Sequence, residues 1–195
     1  IARARGVEVV MRPAELASDT ATVDAAARHA VEAIEASGDA PPGPSSPRAA
    51  PQSRRVEQVV ILYGNVPVRP AGLVDRALRK LMETGCSSVQ SVCPVGKMHP
   101  YWMRTLSGEE HDQLQAYQPN HIYRRQDLPP VYMLDGGIIA VTRASLFTVV
   151  EGEPHAFLGA DRRAVVTQPG EVVDVDSATD LHVAEAVLRG MTNDK

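Results

Sequence analysis

The sequence predicts an α/β fold, and three observations carry that prediction. "VEQVVIL" (Val56 to Leu62) is a β-prone run with apolar continuity, as expected of a buried strand. "AGLVDRALRKLMETG" puts Leu73, Ala77, Leu78 and Leu81 on one helical face and closes on Gly85, a helix stop signal. "CSSVQSVCPV" then reads as a second strand. Strand, loop, helix, strand is the order of a βαβ unit.

The flanking elements follow the same logic. Val7 to Met11 reads as a short strand ended by Arg12 and Pro13. Val23, Ala26, Ala27, Ala30, Val31 and Ile34 recur at helical spacing, with Ser18, Asp19 and Thr20 offering caps before them. Residues 38 to 55 carry five prolines among Gly and Ser. Proline lacks the backbone donor and fixes φ, so this stretch is expected to be a surface loop. Tyr132 to Leu134 and Ile138 to Val141 read as strand pieces, with Gly136 and Gly137 allowing a turn or a ligand's close approach between them. "RRAVVTQ" is a further strand. A last helix presents Leu181, Ala184, Val187 and Leu188, opened by Ser177 and Asp180 at capping-box spacing.

Composition limits the function classes. The chain has 195 residues, enough to build a core without staples, and a formal net charge of -4 with no basic stripe or aromatic platform for nucleic acid. Its apolar runs are too short to span a bilayer. Cys86 and Cys93 form neither a CxxC pair nor a disulfide framework, so a reducing cytoplasm is the expected compartment, with no nucleic-acid or membrane partner. "IARARGVEVV" lacks an initiator Met and reads like a helix end running into a strand, which leads us to expect an upstream segment.

Several residue patterns point to chemistry. Asp174 and Asp176 stand two apart in "VVDVDSATD"; in an extended segment both carboxylates face one way, a cost that a hard divalent cation such as Mg²⁺ removes. Capping of the following helix is the plainer reading of the same pair. "YGNVPVRP" follows the first βαβ strand, where open α/β sheets bind ligands. There Asn65 can bond a base or ribose and Arg69 a phosphate or carboxylate; a turn built from Gly, Asn and Pro accounts for the stretch equally well. Arg124, Arg125, Gln126 and Asp127 form a dense polar cluster suited to an anion, or an exposed charged turn. His99 to Trp102 is expected to be an aromatic anchor, with His99 structural. No residue stands out as a general base.

Four stretches, in order, resemble the acylneuraminate cytidylyltransferase family, which joins CMP from CTP to sialic acids and related acidic sugars and releases pyrophosphate. "GVEVVMRPAELASDTATVDAAARHAV" resembles the segment after the family's second strand, and "VVILYGNVPVRPAGLVDRAL" its "LLQPTSPLR" or "QGDxPL" region. "HPYWMRTL" with "YRRQDLPPVYMLDGGIIAVTR" resembles its HP(Y/F)W and RxQDxPxxYxxNGAxY motifs, and "VVDVDSATDLHVAEAVL" its "SVDIDTxxDLxxAE" ending.

The resemblance implies one Rossmann-like nucleotidyltransferase domain over 1–195, N-terminally incomplete, with a substrate and dimerisation extension over 97–135. It makes Asp174 and Asp176 the Mg²⁺ ligands and Arg124 or Arg125 the contact to the sugar acid. It places Tyr63, Asn65, Arg69, Gln126 and Asp135 about the nucleotide and sugar, and it implies CTP, an acidic sugar and a homodimer as partners. Three positions depart from the family. Tyr63 replaces its Gln, Asn65 its Thr or Asp, and Asp135 the Asn of its NGA motif. Asp135 adds a negative charge beside an anionic sugar, which disfavours that substrate unless the charge is compensated or turned away. The family's "ARxGSKxxxxKN" phosphate loop would lie upstream of Ile1, so this chain alone is expected to be inactive or crippled. Two other readings stay open: a degenerate homologue that binds without turnover, and a transferase for another nucleotide and sugar.

Overall fold

A computed structural model of the chain describes residues 1–37 and 55–193. The loop expected over 38–55 therefore lies outside the described residues, save Arg55. The elements in order are α1 (Val23–Ser37), β1 (Gln58–Ile61), α2 (Leu73–Thr84), β2 (Ser88–Pro94), β3 (Arg104–Ser107), β4 (Gln113–Ala116), β5 (Tyr132–Thr142), the single turn α3 (Arg143–Leu146), β6 (Arg162–Val166) and α4 (Ala178–Asn193). The fold is mixed α/β. A four-stranded sheet has the order β1-β5-β2-β6, and β3 and β4 pair separately.

The sheet is mixed in direction. β1 runs antiparallel to β5, with Gln58 opposite Thr142 and Ile61 opposite Ile139. β5 also opposes β2: Thr142 N–H donates to Ser87 O at 3.1 Å and Val95 N–H to Val131 O at 3.1 Å, so the partner number falls as the chain advances. β6 runs with β2, since Asp161 O accepts from Ser87 and Thr167 N–H donates to Val92 O. The β1–α2–β2 crossover expected from sequence is thus present, with antiparallel β5 inserted between its strands. Leu73, Ala77 and Leu81 are buried as the helical pattern requires, and Gly85 takes φ 64° while its N–H bonds Leu81 O at 3.1 Å.

The chain divides into two compact units, Ile1–Ile61 with Leu78–Val89 and Ile139–Arg163, and Leu62–Ala77 with Gln90–Ile138 and Ala164–Lys195. In the first, Glu35 near the end of α1 grips Arg143 through two hydrogen bonds of 2.8 Å and accepts from Val56 N–H. In the second, Val68, Val173 and Ala184 form a buried cluster with Val175 and Val187 packed against it.

Four expectations need correction. Val7 to Met11 is not a strand; Val7 and Met11 are exposed, and among the described residues no strand pairs with this segment. The residue placed to cap α1 is Thr22, whose Oγ1 accepts from Ala25 N–H at 3.4 Å, not Ser18, Asp19 or Thr20. The two strand pieces about Gly136 and Gly137 are one strand, Tyr132–Thr142, because Gly136 absorbs φ 72° without ending the ladder. On α4 only the side bearing Ala184 and Val187 faces apolar partners; Leu181 and Leu188 are exposed.

Candidate functional site

Val68 and Val173 form an antiparallel bridge, and Val175 N–H donates to Asn65 O at 2.8 Å. The chain after β1 and the chain before α4 therefore run side by side as two short extended segments. Alternation does the rest. Val173 and Val175 turn into the apolar cluster, so Asp174 and Asp176 point the opposite way, to solvent. The sequence pattern Val-Asp-Val-Asp thus becomes one apolar face and one acidic face. Asn65 lies across from the acidic face. Its Nδ2 donates to Asp174 Oδ1 at 2.6 Å and to Asp176 Oδ1 at 3.2 Å.

The next residues hold that geometry from the C-terminal side. Asp180 Oδ2 accepts from Ser177 N–H and Ser177 Oγ, each at 2.8 Å, and Ser177 Oγ accepts in return from Asp180 N–H at 3.4 Å. This is the capping box expected at the start of α4. Those bonds, the Ser177 hydroxyl first, hold the Asp180 carboxyl below its usual range. Capping is thus assigned to Ser177 and Asp180, which leaves Asp174 and Asp176 available for something else.

Tyr63 is half-buried; burial first, and then the charge of Asp174, push its phenol pKa up, so the phenol stays neutral at physiological pH. Arg69 is placed differently from the expectation of a phosphate or carboxylate contact. Its Nε donates to Gly137 O at 2.7 Å, its Nη2 to Tyr63 O at 2.8 Å, and its Nη1 to Val66 O. Three backbone carbonyls thus occupy the guanidinium that the sequence reading left for an anion.

Asp135 does not stand out toward a ligand either. One carboxylate oxygen accepts from the Ser91 hydroxyl and from Gly137 N–H at 3.0 Å, and the other accepts from the Thr167 hydroxyl. Ser91 and Thr167 are each 1% exposed. The negative charge is compensated by these donors, which is the condition the sequence reading set for it.

Arg124, Arg125, Gln126 and Asp127 sit on an exposed 3-10 turn, Arg125–Asp127. Arg124 Nε pairs with Asp127 Oδ2 at 2.9 Å. Arg125 makes no ion pair among the described residues, and no hydrogen bond joins this turn to Asp174 or Asp176. His99, 3% exposed, ties the HPYW stretch to the turn that follows: its Nδ1 accepts from Tyr101 N–H at 3.2 Å and its Nε2 donates to Pro129 O at 3.1 Å. His99 is therefore structural, as expected. Trp102 is half-buried. Cys86 is buried, and its thiol donates to Ser88 O at 3.4 Å; burial, and then Asp135, push the Cys93 thiol up. Neither cysteine is set up as a nucleophile.

The structure thus gathers Tyr63, Asn65, Asp174 and Asp176 at the surface, with Arg69 and Asp135 holding the backbone beside them. Gly136 lies against Asp174, since a Cβ there would stand 3.6 Å from Asp174 Oδ2. Sequence reasoning missed Ser91, Thr167 and the carbonyl of Gly137. Ser91 and Thr167 gave a faint signal as short hydroxyl side chains within apolar strand runs. None of the predicted site residues lines the hollow of about 330 Å³ in the first unit, which is bounded by Thr22, Asp24, Arg28 and Phe157. No family model matches this chain.

Proposed function

We propose that the chain is a nucleotidyltransferase that moves CMP from CTP to an acidic 2-keto sugar such as an N-acylneuraminate, releasing pyrophosphate, on a Rossmann-like sheet. The observation that carries this reading is the pair Asp174 and Asp176 on one face of an extended segment, opposite Asn65 on the loop after β1. Among the described residues no third His, Cys, Asp or Glu completes a cage around them. Two exposed carboxylates without a cage fit Mg²⁺, which commonly takes one or two carboxylates and fills its shell with water and phosphate oxygens. Bound there, the ion would offset phosphate charge and orient the nucleotide.

The chain's own groups supply the rest. The neutral phenol of Tyr63 offers a donor to the nucleotide, and Asn65, whose Nδ2 is engaged by both carboxylates, offers its Oδ1 as an acceptor. Arg125, exposed and without an ion pair among the described residues, is the better anchor for the sugar carboxylate than Arg124, which Asp127 already holds. In the reaction a sugar hydroxyl oxygen bonds the α-phosphorus of CTP, the bond to the β-phosphate bridging oxygen breaks, and the hydroxyl proton passes to solvent. Charge neutralisation and alignment supply the rate.

Pyrophosphate release by the complete polypeptide, with CTP, Mg²⁺ and a panel of eight- and nine-carbon sugar acids, tests the reading. Asp174→Asn and Asp176→Asn are each expected to lower kcat by roughly 100-fold or more. Release that survives both substitutions at full rate refutes it. One observation favours a second reading: the Asn65 amide already spans both carboxylates, an arrangement suited to a homologue that binds nucleotide without turnover. Nucleotide binding with no release for any sugar selects that reading.

A further inference from the structure

We propose that Arg69 is a positioning residue whose guanidinium, spread over the carbonyls of Tyr63, Val66 and Gly137, sets the reach of Asn65 to Asp174 and Asp176. The loop after β1 must carry Asn65 to a fixed place, yet it contains Gly64, which imposes no preference of its own. Pro67 and Pro70 fix two φ angles near it. Arg69 supplies the remaining constraint. Its bonds to Tyr63 O and Val66 O close the loop on itself from either side of Asn65, and its bond to Gly137 O fixes the closed loop to β5. Gly137 is in turn held by Asp135, which accepts its N–H at 3.0 Å. One chain of contacts therefore runs from Asp135 through Gly137 and Arg69 to the residues flanking Asn65. A planar fork suits this, because Nε, Nη1 and Nη2 each reach a different carbonyl, whereas lysine brings its donors to a single nitrogen.

The functional consequence rests on the nucleotidyltransferase reading; the geometry does not, and the test separates them. The Asn65 side-chain amide is observed by ¹⁵N NMR and assigned with Asn65→Asp. Substituting Asp174→Asn is expected to shift that resonance strongly when Arg69 is present, because the two groups touch. In an Arg69→Lys background the same substitution is expected to shift it by less than about half as much, while far-UV circular dichroism and thermal unfolding still report a folded chain. Arg69→Met is the harsher variant; if it unfolds, Arg69→Lys alone decides. An equal shift in both backgrounds overturns the proposal, since a purely stabilising arginine would leave the Asn65 contact intact. Mn²⁺ titration gives a second reading. Arg69→Lys is expected to change the Mn²⁺ affinity several-fold when Asn65 is present and by less than about twofold when Asn65→Ala has removed the group it positions; an equal change in both refutes coupling. Failure of the pyrophosphate-release assay refutes the functional reading alone and leaves the resonance shifts to judge Arg69.

Discussion

Asp135 shows how one side chain can change its meaning with two neighbours. A carboxylate one residue before a glycine at φ 72° can face solvent or turn back onto the chain. Here the Ser91 and Thr167 hydroxyls and the Gly137 N–H draw it back. The room for this exists only because position 137 has no side chain. A Cβ there would lie 2.8 Å from Ser91 Oγ and 2.9 Å from Val172 Cγ2, both closer than real contacts allow. Gly137→Ala should therefore cost about 1–3 kcal/mol through overpacking. Gly64→Ala is the matched control. A Cβ there meets nothing within 4 Å, and its φ lies outside the left-handed region, so its change should stay within about 0.5 kcal/mol. Urea unfolding of the two variants checks the contrast; equal stabilities would show that Ser91 and Val172 yield freely.

At the scale of elements, the first unit is organised around Arg143. Its guanidinium donates to both oxygens of Glu35 from α1 and lies 4.3 Å over the Phe147 ring, while the Arg143 backbone N–H donates to Glu57 O at 2.8 Å. Glu35 also accepts from Val56 N–H, so one ion pair joins the end of α1, the start of β1 and α3. The hydrogen bonds from Arg143, more than any other cause, lower the Glu35 pKa below its ordinary 4.5. A depressed folded pKa means that the stabilisation is present above about pH 4.5 and is lost as pH falls through the lower folded value. Glu35→Gln should therefore lower the unfolding temperature at pH 7, and by progressively less as the pH falls below 4.5. A gap between variant and parent that does not narrow with falling pH would show that the charge of Glu35 contributes nothing. This pairing could not be read from the sequence, where Glu35 and Arg143 are 108 positions apart. The helices and inner strands could, because periodicity and stop signals are local. β5 reads as two pieces in the sequence because a Gly-Gly pair resembles a turn until a neighbouring ladder carries it through.

At the scale of the molecule, the legible part of the candidate site was the part written in short-range alternation. Val-Asp-Val-Asp fixes two carboxylates on one face in any extended segment, and Ser177 with Asp180 fixes the cap. What stayed hidden was which polar groups the chain uses on itself: Arg69 on carbonyls, Asp135 on hydroxyls. Those choices depend on contacts between segments far apart in sequence. Assembly is the remaining question at this scale. β3 and β4 form a two-stranded ribbon in which Leu106 stands opposite Leu114, at 60% and 71% exposure. Met103 and Tyr117 continue the pairing, with Tyr117 N–H donating to Met103 O at 3.1 Å, but three residues from the leucines they alternate to the other face. An isolated two-stranded ribbon is marginal in water, and a second copy related by a two-fold axis offers the same pair of leucines in return. The homodimer implied by the family resemblance would use this leucine face. Light scattering should then report twice the 21.0 kDa chain mass at micromolar concentration. Replacing both leucines, Leu106→Ser with Leu114→Ser, should return one chain mass without loss of α-helix signal, because no core residue is touched. A parent protein that stays monomeric at high concentration refutes the dimer, and a variant that stays dimeric moves the interface away from β3 and β4.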